Sequence, residues 1–368
     1  MKFHCEKNIL LGAVSTAARA AATRNAQPST EGLLFTVEDS ITITGFNLEI
    51  GIVTNCLADI EKSGSVIMPN KMLQDILRKM PDDMITFIAD EQNTITITCG
   101  HISFTIPGLN ADEFPKIPQN ESDKTFSFSQ AILRKLLTQV TYAASDNESR
   151  IINTGTLFDI KGDELKLVAL DGFRLAIRTS KVTSNGEDFS FIVPGAALRE
   201  LEKILSEDDN SQVTIELGQR HIRFMLGHAV LFSRLLEGEF HDYQRAIPTE
   251  YKYSITVNPR ELQTTVDRVS LVLVEKIRTA VKMILHNDHI LLSCQTPLGN
   301  SSDVVSIKDG SEGLEIGFNN KYIIDALRVI DDEEVTLNFN GPLNPCVILP
   351  KGEGNYLSMI LPTRMSDA

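Results

Sequence analysis

The chain has 368 residues, 42% hydrophobic and 23% charged, which suits two or three ordinary globular domains. No apolar run approaches the roughly 20 residues needed to span a bilayer, and the opening MKFHCEKNILLGAV lacks the apolar core and cleavage site of a signal peptide. A formal net charge of −14 argues against a uniformly basic nucleic-acid binder, so any phosphate-binding role must rest on how the charge is distributed.

The first stretch alternates and then turns amphipathic, predicting a short strand and a helix over Lys7–Arg24. LLFTVEDSITITGFNLEIGIVTNCLA predicts antiparallel hairpins. Gly64–Phe87 (GSVIMPNKMLQDILRKMPDDMITF) reads as strand, helix over Asn70–Met80, acidic turn and strand, followed by TITITCGHISFTIPGL as closing strands. After the polar, turn-rich PKIPQNESDK the order begins again: KTFSFSQAILRKLL with a helix over Ser129–Tyr142, hairpins in TLFDIKGDELKLVALDGFRLAIRTSKV, a helix over Gly195–Leu205 and the strands of IRFMLGHAVLFSRLLEG. After RAIPTEYK comes a third round, with helices over Pro259–Leu271 and Asn319–Val329 and closing strands in NPCVILPKGEGNYLSMILP. Pro69, Pro194 and Asn319 recur every 125 residues, and Phe3, Phe126 and Ile255 correspond, as do Leu10, Leu133 and Leu262.

A period that long copies a whole small domain. The expected fold class is therefore α+β: three tandem copies of a helix–strands–helix–strands domain, with boundaries 1–121, 122–249 and 250–368. The short separators suit domains packed in a fixed row. The helical segments are net basic and the remainder carries all the acidic excess. If the helices share one side, they make a positive face that holds phosphates without reading bases. Lys and Arg are also ordinary on any solvated helix, so charge alone leaves both readings open.

Several features invite a catalytic reading and fail it. Asp82–Asp83, Asp208–Asp209 and Asp331–Asp332 recur at the same turn of each copy, which marks a shared helix-to-strand connection. His286 and His289 form HxxH with no third ligand nearby. GxxxxGK[ST] and GxGxxG are missing. The five cysteines are scattered without a CxxC pair, which suits reduced, buried thiols and a cytoplasmic protein. No cofactor or metal is expected. A hydrolase using the acidic pairs, and a scaffold that never touches DNA, are the rival readings.

The segments LVALDGFRLA, LLEGEFHDYQRAIP, IGFNNKYIIDAL and MILPTR, in this order on the three copies, resemble the bacterial DNA polymerase III beta subunit family, the replicative sliding clamps. The resemblance covers the whole chain. It implies a head-to-tail homodimer closing a six-domain ring, helices inside and sheets outside, that encircles duplex DNA and tethers the polymerase. Binding is then topological and sequence-independent, and the protein is a processivity factor with no active site. The subunit edges it implies are Ile102, Phe104 and Ile106 on the first copy and Leu271, Val272 and Leu273 on the third. It also implies an apolar cleft for short linear peptides of the replicative polymerase, the clamp loader, other polymerases and repair proteins. The matching positions are Asn153, Leu170, Gly172, Phe173, Arg174, Leu175, His241, Ala246, Asn344, Pro345, Cys346, Met359, Leu361, Pro362 and Arg364. Here the chain departs from the family, which often carries Thr for Leu170, His for Phe173, an apolar residue for Asn153 and Pro for His241. On this reading, removing Met359–Ala368 abolishes peptide binding alone. For DNA it implies Arg19 and Arg24, the loop residues Asn147 and Arg150, and the helix cations Lys71, Arg78, Lys79, Arg134, Lys135, Arg199 and Lys203; Arg260, Arg268, Lys321 and Arg328 join them on charge.

Overall fold

The computed structural model describes residues 1–23, 27–118, 124–182, 188–273, 280–310, 312–352 and 354–364. Its helices are α1 (Lys7–Ala17), α2 (Asn70–Lys79), α3 (Gln130–Val140), α4 (Gly195–Ile204), α5 (Pro259–Val269) and α6 (Asn320–Arg328). The repeat is visible in burial: Phe3, Phe126 and Ile255 are all buried, and Leu10, Leu133 and Leu262 are fully so. The chain forms two compact units, Met1–Arg134 with Ala197–Leu235, and Lys135–Ala196 with the described residues from Leu236 on.

In the first unit α1 and α2 lie side by side. Helix α1 buries Leu10, Ala13, Val14 and Ala17, one stripe at helical spacing. Helix α2 buries Leu73, Ile76 and Leu77 and leaves its cations outside. A five-stranded antiparallel sheet in the same unit runs Asp59–Lys62, Lys2–Glu6, Met84–Ala89, Thr94–Cys99, Ile102–Pro107. Phe3 and Phe87 stack in its core with ring centroids 5.0 Å apart. The α-helix stops at Ala17, short of the Arg24 that the sequence suggests; Ala18–Ala20 tightens to a 3-10 turn and Ala21 is extended. The cause is close contact with the strand Ile41–Phe46: a Cβ on Gly45 would lie 2.1 Å from the Ala17 carbonyl oxygen.

An eight-stranded sheet completes this unit in the order Lys124–Ser129, Gln212–Leu217, His221–Met225, Ala229–Arg234, Ile50–Cys56, Ile41–Phe46, Gly32–Val37, Gly64–Pro69. Its central pairing joins two repeats, with Leu231 opposite Ile52. The second unit repeats the device. Its eight-stranded sheet runs Phe189–Pro194, Gly155–Lys161, Glu164–Leu170, Arg174–Lys181, Tyr356–Ile360, Cys346–Pro350, Val335–Phe339, Tyr253–Val257. Leu175 lies opposite Met359 where the middle and last repeats meet. A four-stranded sheet, Gly299–Ser306, His289–Thr296, Val281–Leu285, Glu315–Phe318, lies in the same unit as α5 and α6. Asn258 and Asn319 cap these helices: the Asn258 side chain accepts from the backbone N–H groups of Arg260 and Glu261, and that of Asn319 from Lys321. Each cap contributes about 1 kcal/mol.

Candidate functional site

The candidate cleft is built on the hairpin turn Asp171–Arg174. Gly172 has φ +92, which suits glycine. Asp171 Oδ1 accepts hydrogen bonds from the N–H groups of Phe173 at 2.8 Å and Arg174 at 3.0 Å. The turn turns Phe173 outward, 59% exposed, and stacks its ring on Tyr322 of α6. Arg174 does the reverse and is only 8% exposed. Its Nε donates to Asp171 at 3.0 Å and its Nη1 to Asp325 at 2.7 Å, with the guanidinium over the rings of Tyr322 and Tyr142. A buried cation needs such pairing. Tyr142 in turn meets the hydroxyls of Tyr356 and Ser358 at 2.9 Å, and burial pushes its phenol above the usual range.

Leu170, Leu175 and Met359 join one apolar cluster with Tyr243, Val347, Ile247, Tyr251 and Leu349. Asn153 is buried within this region at 2% exposure, and its Oδ1 accepts from His241 Nε2 at 2.8 Å. Ala246, Asn344 and Arg364 are exposed, and Leu361 and Pro362 are half-buried. Leu361 N donates to Phe173 O at 2.8 Å, which seats the final segment beside the turn. Pro345 is half-buried next to Cys346, and Cys346 faces away: its side chain packs in the other core, with Leu262, Phe318 and Ile360. Strand alternation explains the split, since Val347 and Leu349 point to the cleft side and Cys346 and Ile348 to the helix side. Ile247 and Tyr251 were missed because RAIPTEYK reads only as a separator, and Tyr243 because LLEGEFHDYQRAIP was matched as a segment without singling out its tyrosine. Val347 and Leu349 could have been found from the parity of NPCVILP. All five cysteines are buried and free.

The edge strand Ile102–Pro107 exposes Ile102 and Phe104, whereas Ile106 turns into the core. Beside Phe104 is a cavity of about 700 Å³ lined by Met72, Ile76, Ile67, Leu109, Lys71 and Lys79, among others. In the second unit Leu271, on a 3-10 turn after α5, is 82% exposed, with Val272 and Leu273 half-buried.

Seven of the candidate DNA cations among the described residues already have carboxylate partners. Arg19 and Lys203 both pair with Glu200, Arg134 with Glu207, Lys135 with Asp331, Arg78 with Asp75, Arg268 with Asp303 and Arg328 with Asp325. Among the described residues Lys71, Lys79, Arg150, Arg260 and Lys321 are exposed and make no ion pair. Arg199 is exposed on α4. Asn147 caps the turn Glu148–Thr154 by accepting from Ser149 N. Arg24 lies outside the described residues.

The acidic pairs serve structure. Asp82 pairs with Lys7, Asp331 with Lys135, and Asp332 accepts from Gly352 N at 3.2 Å. Asp208 accepts from Asn210 N and Ser211 Oγ. Among the described residues no group of three or more His, Cys, Asp or Glu could hold a metal ion. No described helix is long and apolar enough to cross a membrane.

Three domain families match in succession: the N-terminal domain of the DNA polymerase III beta subunit over residues 1–118, its central domain over 127–242 and its C-terminal domain over 244–364. The chain is 30% identical over 375 residues to the beta sliding clamp of Staphylococcus epidermidis and 31% identical to that of Staphylococcus aureus, covering 99% of both chains in each case. The solved DNA polymerase sliding clamp of Bacillus subtilis superimposes with a TM-score of 0.93 at 29% identity, over 100% of both chains. A putative DNA polymerase III beta subunit from Eubacterium rectale gives 0.92 at 32% identity, over 99% of both.

Proposed function

The chain belongs to the DNA polymerase III beta subunit family, the beta sliding clamps, and from that premise we propose that two copies close head to tail around duplex DNA. A sliding clamp is a non-catalytic accessory subunit of the polymerase, and its three-domain fold is the one described above. The finer assembly is our reading: domain boundaries at 121 and 249, a ring of six domains, helices inside and sheets outside.

One observation carries the closure. The first unit offers an apolar cavity beside an unpaired strand edge at Phe104, and the second offers Leu271 at 82% exposure on a different surface. Two unlike surfaces in one chain suit a head-to-tail contact, which ends in a ring only when the rotation per copy closes. Inserting Leu271 beside Met72 and Phe104 would bury both patches, and pairing the Ile102–Pro107 edge would remove an aggregation-prone strand. Ile106 contributes through its backbone only.

Within that ring, Lys71, Lys79, Arg150, Arg260 and Lys321 supply phosphate contacts, with the paired cations secondary. Few, weak, salt-sensitive contacts let the ring slide. The cleft around Leu170, Leu175 and Met359 receives a linear peptide from a polymerase, loader or repair protein through aliphatic and aromatic anchors. Sedimentation equilibrium tests the closure. The expected species has twice the 40.8 kDa chain mass; a persistent monomer at micromolar concentration would overturn it.

A further inference from the structure

We infer that the Asn153–His241 pair is a polar specificity element of the cleft, selecting peptides that carry a hydrogen-bond donor beside their apolar anchors. The inference rests on the peptide-cleft reading above and narrows the class of ligand.

Asn153 and His241 lie 88 positions apart in the chain, and the structure makes them each other's partners. Asn153 sits at 2% exposure in the turn Glu148–Thr154, next to Ile152, which packs on the apolar cluster of the cleft. A buried amide oxygen is costly without a donor. Because Asn153 Oδ1 is an acceptor, the ring nitrogen that meets it, Nε2, carries the proton. In the neutral ring that selects the tautomer with Nδ1 as the acceptor. His241 is exposed, its ring tilted beside Phe240, and among the described residues Nδ1 has no hydrogen-bond partner. The cleft rim therefore presents one oriented acceptor beside Phe240, which packs against the apolar cluster of the cleft. Its natural complement is a serine or threonine hydroxyl, a side-chain amide or a peptide N–H. An apolar residue at 153 with proline at 241 offers no such acceptor. A site built to bond a donor rejects the ligand that lacks it, whereas an all-apolar wall discriminates weakly.

The pair acts as a unit. Asn153 holds the imidazole in the tautomer and orientation that expose Nδ1, so Asn153 is a positioning residue and His241 the contacting one.

The test uses the full-length protein and synthetic nonapeptides with one aliphatic and one aromatic anchor. At each flanking position in turn, alanine is exchanged for serine or asparagine. Fluorescence polarisation gives the affinity ratio of each matched pair. The wild type is expected to favour the donor-bearing peptide about tenfold at one flanking position, the scale of one well-placed hydrogen bond. In His241→Ala, which leaves the Asn153 amide in place without its donor, and in Asn153→Leu/His241→Pro, which removes both polar groups together, that ratio falls to about one. A wild-type ratio near one, or a ratio that persists in His241→Ala, overturns the inference while the cleft reading stands. If no peptide binds the wild type, or binding survives Leu175→Asp at full strength, the cleft reading fails and takes the inference with it.

Discussion

Arg174 donates from Nη1 to Asp325 Oδ2 at 2.7 Å, and this bond ties the turn that carries Phe173 to helix α6. The same guanidinium is held by Asp171 and roofed by Tyr322, so the Phe173 shelf is fixed before any peptide arrives. Removing one partner of a buried pair strands the other charge, at a cost of about 3 kcal/mol. Asp325→Ala should lower the unfolding free energy by that order in urea titrations followed by circular dichroism, and weaken peptide binding with it. Equal stability of variant and wild type would show that Asp171 alone satisfies Arg174.

Phe173 offers the opposite test. It is exposed and touches Tyr322 rather than the core, so Phe173→Ala should leave unfolding within about 0.5 kcal/mol of wild type. Peptide affinity should fall about tenfold, the order of losing an aromatic anchor surface. Calorimetric titration measures the second effect, and an unchanged affinity would remove Phe173 from the cleft.

Cutting the chain at Met359 is a poor probe. Met359 belongs to the strand Tyr356–Ile360, which lies inside the eight-stranded sheet between Arg174–Lys181 and Cys346–Pro350. Loss of its last two residues removes ladder hydrogen bonds and core contacts together, so the cut should destabilise the second unit rather than act on peptide alone. A cut after Ile360 should keep the melting temperature within a few degrees while reducing peptide affinity; a collapse of both would make Leu361–Arg364 part of the fold.

Lys308 and Lys351 give a pH signature. Hydrogen bonds from Lys308 first, then Lys351, hold the Glu334 carboxylate at a pKa of about 2, against its ordinary 4.5. A depressed carboxylate stabilises the fold above the unfolded pKa, and that contribution is lost as pH falls from 4.5 towards 2. The carboxylate is only half-buried, so the effect is modest. Glu334→Gln should flatten the melting temperature over that window relative to wild type and match its slope above pH 6. Parallel curves throughout would show that the lysines do not act on stability through Glu334.

The DNA reading separates paired from unpaired cations. Lys79→Ala and Arg150→Ala should each reduce the salt slope of DNA binding by about 1. Arg134→Ala and Lys135→Ala should change it less, because Glu207 and Asp331 already hold those charges. Slopes measured from 50 to 200 mM salt decide; equal reductions at all four positions would remove the distinction.

Much of the fold was legible in the sequence because local pattern carries it. The threefold recurrence located the six helices of the described residues, and Leu10, Leu133 and Leu262 share the same burial. Three things were not legible, each for a physical reason. Helix α1 ends at Ala17 although the alanine run favours helix, since its terminus meets Gly45 across the unit. Strand pattern names no distant partner, so the pairing of Ala229–Arg234 with Ile50–Cys56 could not be read. In NPCVILP a single step of parity sends Cys346 to the helix side and Val347 to the cleft, and segment-level matching does not resolve that step.

Closure through Leu271 is open to direct substitution. Leu271→Asp or Phe104→Asp should give monomers by light scattering, while each retains the wild-type circular dichroism spectrum because both side chains are exposed. Unchanged dimers in both variants would refute that contact.

The most direct test of the central claim is topological. The protein is loaded onto nicked circular duplex DNA by a bacterial clamp loader, freed of unbound protein by gel filtration, and the circle is then cut once. A closed ring stays on the circle and runs off the linear ends, so retention should drop to near background after cutting. Equal retention on circular and linear DNA would contradict encirclement.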